Sequence, residues 1–165
     1  MASLRIDPVG AFNFYLTLID SSNVAATLVT AAANFALAGF SECSGLEATL
    51  ELFDFKEGGV NDFVHKFPTR ASFANITLKR GVSLLPDDLW RWHNDFVQGK
   101  GKRKDGLIVL LSEARLPVKI WKFKRGIPMK WVGPSLNASQ NNLAIESLEI
   151  SHEGLSMELG ALPSA

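Results

Sequence analysis

The sequence predicts a mainly β fold in which two antiparallel sheets pack as a barrel-like sandwich, with one flanking α-helix. Short segments of alternating apolar and polar residues recur along the whole chain, which is typical of strands with one buried face. A single segment has the periodicity of an amphipathic helix. The chain has 165 residues, 47% of them hydrophobic, which suffices for one ordinary core, so we expect a single domain over residues 1–165.

The strand signal occurs in six segments, in the order 11–19, 46–52, 73–79, 106–112, 118–124 and 143–159. The last segment is expected to form two strands on either side of Gly154. Alternation over 46–52 predicts a strand with one buried and one solvated face. The continuous apolar run at 106–112 predicts a strand buried on both faces. The alternation in 118–124 slips at Ile120 and Trp121, which favours a bulge or an edge position there.

The predicted helix spans about residues 86–98. Pro86 suits a first turn because its missing N–H is not needed there, and Gly99 follows where a C-cap is expected. The apolar residues of the segment form one stripe that is expected to face a sheet. The stripe consists of Leu89, Trp90, His93, Phe96 and Val97.

Two stretches are predicted as long loops, about 20–37 and 53–72. The first is weakly polar and has no regular period; a second short helix is the alternative there. In the second, Gly58-Gly59 and Pro68 interrupt any continuous element. Loops of this length inside a compact domain are usually functional.

Charge is segregated along a chain whose formal net charge is zero. Residues 1–65 have a net charge of −6, residues 66–130 of +10 and residues 131–165 of −4. Four of the basic residues form what we call the basic connector, between the helix and the strand at 106–112: Lys100, Lys102, Arg103 and Lys104. Three interpretations of it remain open: a solvated turn, a basic surface that meets an acidic patch on a neighbouring subunit, and a contact to nucleic acid.

A nucleic-acid-binding β-barrel is an alternative of another class. Lys, Trp and Phe are interleaved over 119–131, as in proteins on which single-stranded bases stack. The neutral whole-chain charge argues against it, because it provides no broad electrostatic footprint. We interpret Trp90 as a core residue and Trp92 and Trp131 as interface anchors, where tryptophan is enriched.

The sequence lacks the patterns of an enzyme. His65, His93 and His152 stand far apart, and Cys43 is alone, so no local metal pair or disulfide framework is predicted. No phosphate-binding loop and no nucleophile elbow is present. We predict no catalytic residue, no cofactor and no metal site. We also predict no secretory signal and no membrane span.

Seven segments, in this order, resemble the tail-tube protein family of contractile phage tails and of phage-tail-derived extracellular contractile injection systems of the antifeeding-prophage type. They are RIDPVGAFNF (5–14), FSECSGLEA (40–48), EGGVN (57–61), NITLKRG (75–81), LWRWH (89–93), IPMKWVGPSLNAS (127–139) and IESLEISHEGL (145–155). The resemblance implies a chemically inert subunit that forms hexameric rings, stacked into a hollow tube that a contracting sheath drives through a target envelope.

The resemblance also implies partners and positions. The partners are further copies of the chain, a contractile sheath protein, baseplate or tube-initiator proteins, and a cargo or tape-measure protein in the lumen. Assembly is expected in the bacterial cytoplasm. An extended loop of the family contacts neighbouring subunits, and it corresponds here to Glu57, Gly58, Gly59 and Asn61. Lys130 and Trp131 are further interface candidates. A tube-initiator or baseplate-adaptor paralogue of the same fold is the alternative, since the segment at 20–37 is longer than usual for the family.

Overall fold

A computed structural model describes residues 10–20, 39–59, 61–82 and 88–159. The predicted loop at 20–37 therefore lies outside the described residues, apart from Asp20. The strands are β1 (Phe14–Asp20), β2 (Phe40–Ser44), β3 (Ala48–Phe55), β4 (His65–Phe73), β5 (Ile76–Gly81), β6 (Lys104–Leu111), β7 (Pro117–Val132), β8 (Ile145–Ser151) and β9 (Gly154–Leu159). The helix is α1 (Asp88–Val97).

Seven strands form one antiparallel system in the order β1-β6-β7-β8-β5-β2, with β9 also paired to β7. The 16-residue β7 organises it. Its first half pairs with β6 and β9, while its second half, from Ile127, pairs with β8. Because β7 belongs to both groups of strands, it carries the chain from one layer of the sandwich to the other.

The core lies between these two layers. It combines side chains from β1, β5, β6, β7 and β8 with two from α1: Leu16, Ile76, Leu78, Leu89, Trp92, Ile108, Phe123, Leu148 and Ile150. Strand β6 is buried or half-buried along its whole length, as its continuous apolar run predicts. The mainly β class with packed sheets and a helix on one side is confirmed. The described strands form an open sandwich, not a closed barrel, since β1 and β2 stand at opposite ends of the strand order.

Helix α1 ends as the sequence predicts but is rotated relative to the predicted stripe. Gly99 has a φ of 74°, and Gly99 N and Lys100 N donate to the carbonyls of Phe96 and Asp95, which is the hydrogen-bond pattern of a Schellman C-cap. The buried residues are Leu89 and Trp92, whereas Trp90 is 42% and Val97 71% exposed.

The assignment of Trp90 to the core and Trp92 to an interface is therefore wrong. A helix with Trp90 facing the sheet and a helix with Trp92 facing it both place large apolar side chains on the inner face. Helical periodicity alone therefore does not distinguish the two orientations. Trp92 points inward because its indole N–H finds an acceptor there, the carbonyl of Lys102 at 2.8 Å. A buried indole is favoured where such a partner exists.

The predicted loop at 53–72 is also wrong, because strands β3 and β4 cover most of it and form a separate two-stranded hairpin. Pro68 lies inside β4, opposite Leu52, beside a register shift between Leu50 and Leu52. Proline is tolerated at such irregularities and in two-stranded ribbons because one side of each strand has no ladder partner.

The expected half-burial of 46–52 is observed only at Leu46, which packs against the core, since every residue of β3 is exposed. Alternation normally reports a face that packs on a core, and here that face has no partner within the described chain. Among the described residues, no helix is long and apolar enough to cross a membrane.

Candidate assembly surfaces

The β3–β4 hairpin is the largest exposed apolar feature of the described residues. Its register pairs Phe53 with Phe67 and Phe55 with His65, so these four side chains lie on one face of the ribbon. Asp54 and Lys66 pair on the other face, with Lys66 Nζ 2.8 Å from Asp54 Oδ1. Leu50 and Leu52 lie on the same face as Asp54 and are 56% and 52% exposed, so both faces of the hairpin present apolar side chains, and neither packs on the described core.

The rings on the first of these faces contact one another. We call Phe53, Phe55, Phe63, His65 and Phe67 the aromatic face. Its ring centroids are 6.2 Å apart for Phe55 and Phe67 and 4.9 Å apart for Phe63 and His65. The four phenylalanines are 46% to 60% exposed. Exposed aromatic clusters of this kind mark protein interaction sites, because so much apolar surface is unfavourable in water.

The predicted interface residues Glu57, Gly58, Gly59 and Asn61 lie at the tip of this hairpin and are all exposed. Glu57 Oε2 lies 3.2 Å from His65 Nε2, which ties the turn to the aromatic face. Gly59 has a φ of 94°, so the positive φ expected of the glycine pair occurs there. A Cβ at either glycine would meet open space, so neither glycine is required by close backbone approach within the subunit.

Lys130 and Trp131 are not part of this tip. They lie in the second half of β7, opposite Glu149 and Leu148 of β8. Lys130 is exposed, whereas Trp131 is half-buried and its ring centroid lies 4.7 Å from that of Trp90. Trp131 therefore holds α1 against β7 within the subunit, and only Lys130 remains directed at solvent.

Trp131 also belongs to a polar network at the core boundary. Its Nε1 donates to Glu146 Oε2 at 3.0 Å, and Arg80 Nε donates to Glu146 Oε1 at 2.5 Å. The side chain of Glu146 is only 2% exposed. Both carboxylate oxygens thus have a donor, which a buried charge requires. The network fixes the relative positions of β5, β7 and β8.

Two residues of the basic connector, Arg103 and Lys104, contact other side chains of the subunit. Arg103 pairs with Glu153, which also forms an ion pair with Arg125, with Arg125 Nε 2.7 Å from Glu153 Oε2. Lys104 is the first residue of β6, and its Nζ lies 5.1 Å from the ring centre of Trp92. Asp105 and Gly106 also lie within β6, so the connector proper ends at Arg103. Lys100 and Lys102 are exposed.

Two further titratable groups belong to the interior. Cys43 is half-buried, and burial, helped by the charge of Glu42, raises its thiol pKa to about 11, so the thiolate needed for nucleophilic chemistry is scarce. The ring of His152 contacts those of Phe73 and Phe123 in tilted arrangements, with centroid distances of 5.7 and 5.8 Å. Both of its ring nitrogens are buried without a well-formed hydrogen bond.

A second exposed apolar surface lies in the β7–β8 loop, and the sequence analysis did not identify it. Residues 133–144 carry no charged side chain. Leu136 and Leu143 are 82% and 87% exposed, and residues 135–137 and 140–145 line an open cavity of about 650 Å³. We call Val82, Val132, Leu136, Leu143 and Ile145 the loop patch; the other three members are each at least 46% exposed.

The family comparison decides what kind of protein carries these surfaces. Residues 10–156 match the model of the T4-like virus tail tube protein gp19 family. The chain belongs to this family. It is a structural tail tube protein of the contractile-injection type and not an enzyme. Curated proteins gave no match.

Solved structures show the same fold for this tail tube protein. It is 23% identical, with a TM-score of 0.78, to a chain in the 6-fold symmetrised anti-feeding prophage baseplate, covering 96% of this chain and 100% of the other. A chain in the tube-terminating cap of the same particle is 21% identical, with a TM-score of 0.78 and coverage of 96% and 97%. A chain of the PVC sheath–tube complex in the extended state is 22% identical, with a TM-score of 0.75 and coverage of 92% of each chain.

Proposed function

We propose that this tail tube protein is the inner-tube subunit of a contractile particle: six copies close into a ring, and rings stack into a hollow tube. The observation that carries the proposal is the hairpin, in which all of β3 is exposed and one face is aromatic. In a family of tube proteins, such a surface is best explained by burial against another copy. The 6-fold symmetry of the baseplate with the similar chain supports the number of copies.

Ring closure requires two different patches on each subunit, because a ring contact is heterologous. The edges of the strand system supply them. β1 and β2 are the two ends of the strand order, and β9 pairs only with β7 among the described strands. An open strand edge is a liability in a monomer but becomes a joint when it pairs with the edge of a neighbour.

The remaining partners follow from this role. A contractile sheath would surround the tube, baseplate proteins would nucleate it, and a cargo or tape-measure protein would occupy its lumen. Assembly would take place in the bacterial cytoplasm, and the product would be part of a phage tail or of an extracellular tail-like particle. The exposed candidates Glu57, Gly58, Gly59, Asn61 and Lys130 would lie at contacts between copies.

Electron microscopy of the purified chain tests the proposal. We expect rings with six-fold symmetry and, at higher concentration, tubes. A chain that stays monomeric at every concentration, even with its baseplate proteins, would contradict it.

A tube-initiator is the second candidate, because a similar chain occurs in a baseplate. Copy number in the intact particle separates the two: a tube subunit fills many rings, an initiator only one or two.

A further inference from the structure

We propose that the loop patch is the receptor for the aromatic face of a second copy of this chain, so that successive subunits dock head to tail through the hairpin of one and the β7–β8 loop of the next. The inference rests on the proposed function, since it requires that copies of the chain assemble. It adds the identity of the surface that receives the hairpin.

The two surfaces lie at opposite ends of the same strands. The hairpin returns to the sheet immediately before Ile76, the first residue of β5, which pairs with Ile150. At the other end of β5, Gly81 pairs with Ile145, and Val82 N donates to the carbonyl of Ala144 at 2.9 Å. Six strand residues at ~3.3 Å each separate the two ends by roughly 15–20 Å.

This placement prevents a chain from filling its own loop patch. The exposed hairpin begins at the end of the sheet remote from the loop, and β3 and β4 pair only with each other among the described strands. The hairpin of one copy can meet the loop patch of a second copy if that copy is displaced along the strand direction. A contact of this heterologous kind repeats without limit unless it closes, and so gives a stack.

The two surfaces also match chemically. The aromatic face carries rings and one imidazole, and the charges of Asp54 and Lys66 lie on the opposite face of the ribbon, where they pair with each other. The cavity lining contains leucine side chains and amides but no charged group. Its volume of about 650 Å³ lies in the range of pockets that bind small molecules. Entry of the phenylalanine rings would therefore bury apolar surface on both copies, and the one carboxylate beside the aromatic face, that of Glu57, keeps His65 as its partner.

Site-directed cross-linking between two chains tests the inference. One chain carries Asn61→Cys at the hairpin tip and the other Asn141→Cys beside the cavity; both positions are exposed. A short bis-maleimide is added to the assembled mixture. Native Cys43 stays in place, and the parent chain measures its background. We expect a dimer linking the two different chains, whereas Arg91→Cys on the exposed side of α1, paired with Asn61→Cys, should give only background.

The outcomes separate the inference from the proposed function. Rings or tubes that form without the Asn61–Asn141 cross-link would overturn the inference and leave the tube function standing. A chain that never assembles would overturn both.

As an independent measurement, Leu143→Asp should raise the protein concentration needed for assembly by about tenfold or more, as for a central contact residue. Leu116→Asp, an apolar position 46% exposed in the β6–β7 turn, should not; equal effects would contradict the inference.

Discussion

At the scale of single residues, Glu146 illustrates how a charge is kept inside this protein. Its carboxylate is almost completely buried and receives hydrogen bonds from Arg80 and Trp131. The cost of taking it out of water is offset only while both donors stay in place. Glu42 and Lys79 form a comparable pair at 2.9 Å, but on the exposed side, with 49% and 42% of their side chains accessible. The two pairs thus differ mainly in burial.

We expect Glu146→Ala to lower the free energy of unfolding by about 3 kcal/mol or more, because it removes the carboxylate that pairs with the half-buried guanidinium of Arg80 and leaves the indole of Trp131 without its acceptor. Glu42→Ala is the matched control and should cost at most about 1 kcal/mol, since exposed ion pairs are screened by solvent. Urea denaturation of both variants measures the difference. Equal losses would show that burial of Glu146 does not matter.

His152 predicts how the fold responds to acid. Burial lowers the pKa of His152 below its usual 6.5, and backbone groups of Gly154 and Ala74 offset only part of this effect. The folded protein therefore binds this proton less readily than the unfolded chain does, so protonation favours unfolding. The stabilisation is complete above the unfolded pKa and declines as the pH falls from there through the lower, folded pKa.

We expect the free energy of unfolding to fall more steeply between about pH 7 and about pH 5 in the wild type than in His152→Leu, which keeps an apolar side chain between Phe73 and Phe123 but cannot titrate. Denaturant unfolding at a series of pH values gives both slopes. Parallel slopes would show that His152 is not the group that titrates.

At the scale of elements, strand β7 depends on one unusual residue. Arg125 has a φ of 55°, in the left-handed region that L residues avoid. It lies where β7 changes from pairing with β6 and β9 to pairing with β8. Its N–H donates to Asp105 Oδ1 at 2.8 Å, which holds the irregular geometry. The bend of β7, and with it the two-layer arrangement, depends on this residue and on the adjacent Gly126.

We expect Arg125→Gly to be about 1 kcal/mol more stable than Arg125→Ala, because both lose the exposed pair with Glu153 but only glycine relieves the left-handed backbone. At the preceding residue the order should reverse: Lys124→Gly should be about 1 kcal/mol less stable than Lys124→Ala, since glycine weakens an ordinary strand. Thermal or urea unfolding of the four variants tests both comparisons. The same order at both positions would contradict the role of Arg125.

At the scale of the whole molecule, stability and assembly reside in different parts of the chain. The core lies between the two layers of the sandwich and contains no residue of β3 or β4. The hairpin and the loop patch contain most of the largest exposed apolar side chains. A subunit organised in this way can fold by itself and present its apolar surfaces to other copies. Substitutions in the two parts should therefore have separable effects.

We expect the double variant Phe53→Ser, Phe67→Ser to keep the free energy of unfolding of the monomer within about 1 kcal/mol, because both rings are half-exposed and lose only a cross-strand pair. The same variant should fail to form rings or tubes. Phe123→Ala is the contrasting variant, since it removes a buried ring and should cost about 3–5 kcal/mol. Denaturation combined with electron microscopy separates the two effects. Normal assembly of the double variant would contradict the role of the aromatic face.

Much of the hairpin can be predicted from the sequence. Phe53 and Phe55 alternate before Gly58-Gly59, and Phe63, His65 and Phe67 alternate after them, which is the period of two paired strands. Gly58-Gly59 and Pro68 interrupt this alternation, and such residues predict a loop. The predicted tip residues do lie together, whereas Lys130 and Trp131 lie apart from them in β7.

Period, caps and ordered motifs are local properties of the chain, and they suffice to predict the strand-rich class, the existence and C-terminal end of the helix, the doubly covered strand at 106–112 and the resemblance to tail tube proteins. Which apolar residues are covered depends on the tertiary structure. Trp92 is buried and Trp90 exposed, β3 alternates but pairs only with β4 among the described strands, and the β7–β8 loop presents exposed leucines. Burial depends on which distant strands meet in space, and an alternating strand has the same sequence whether its partner is in the same subunit or the next.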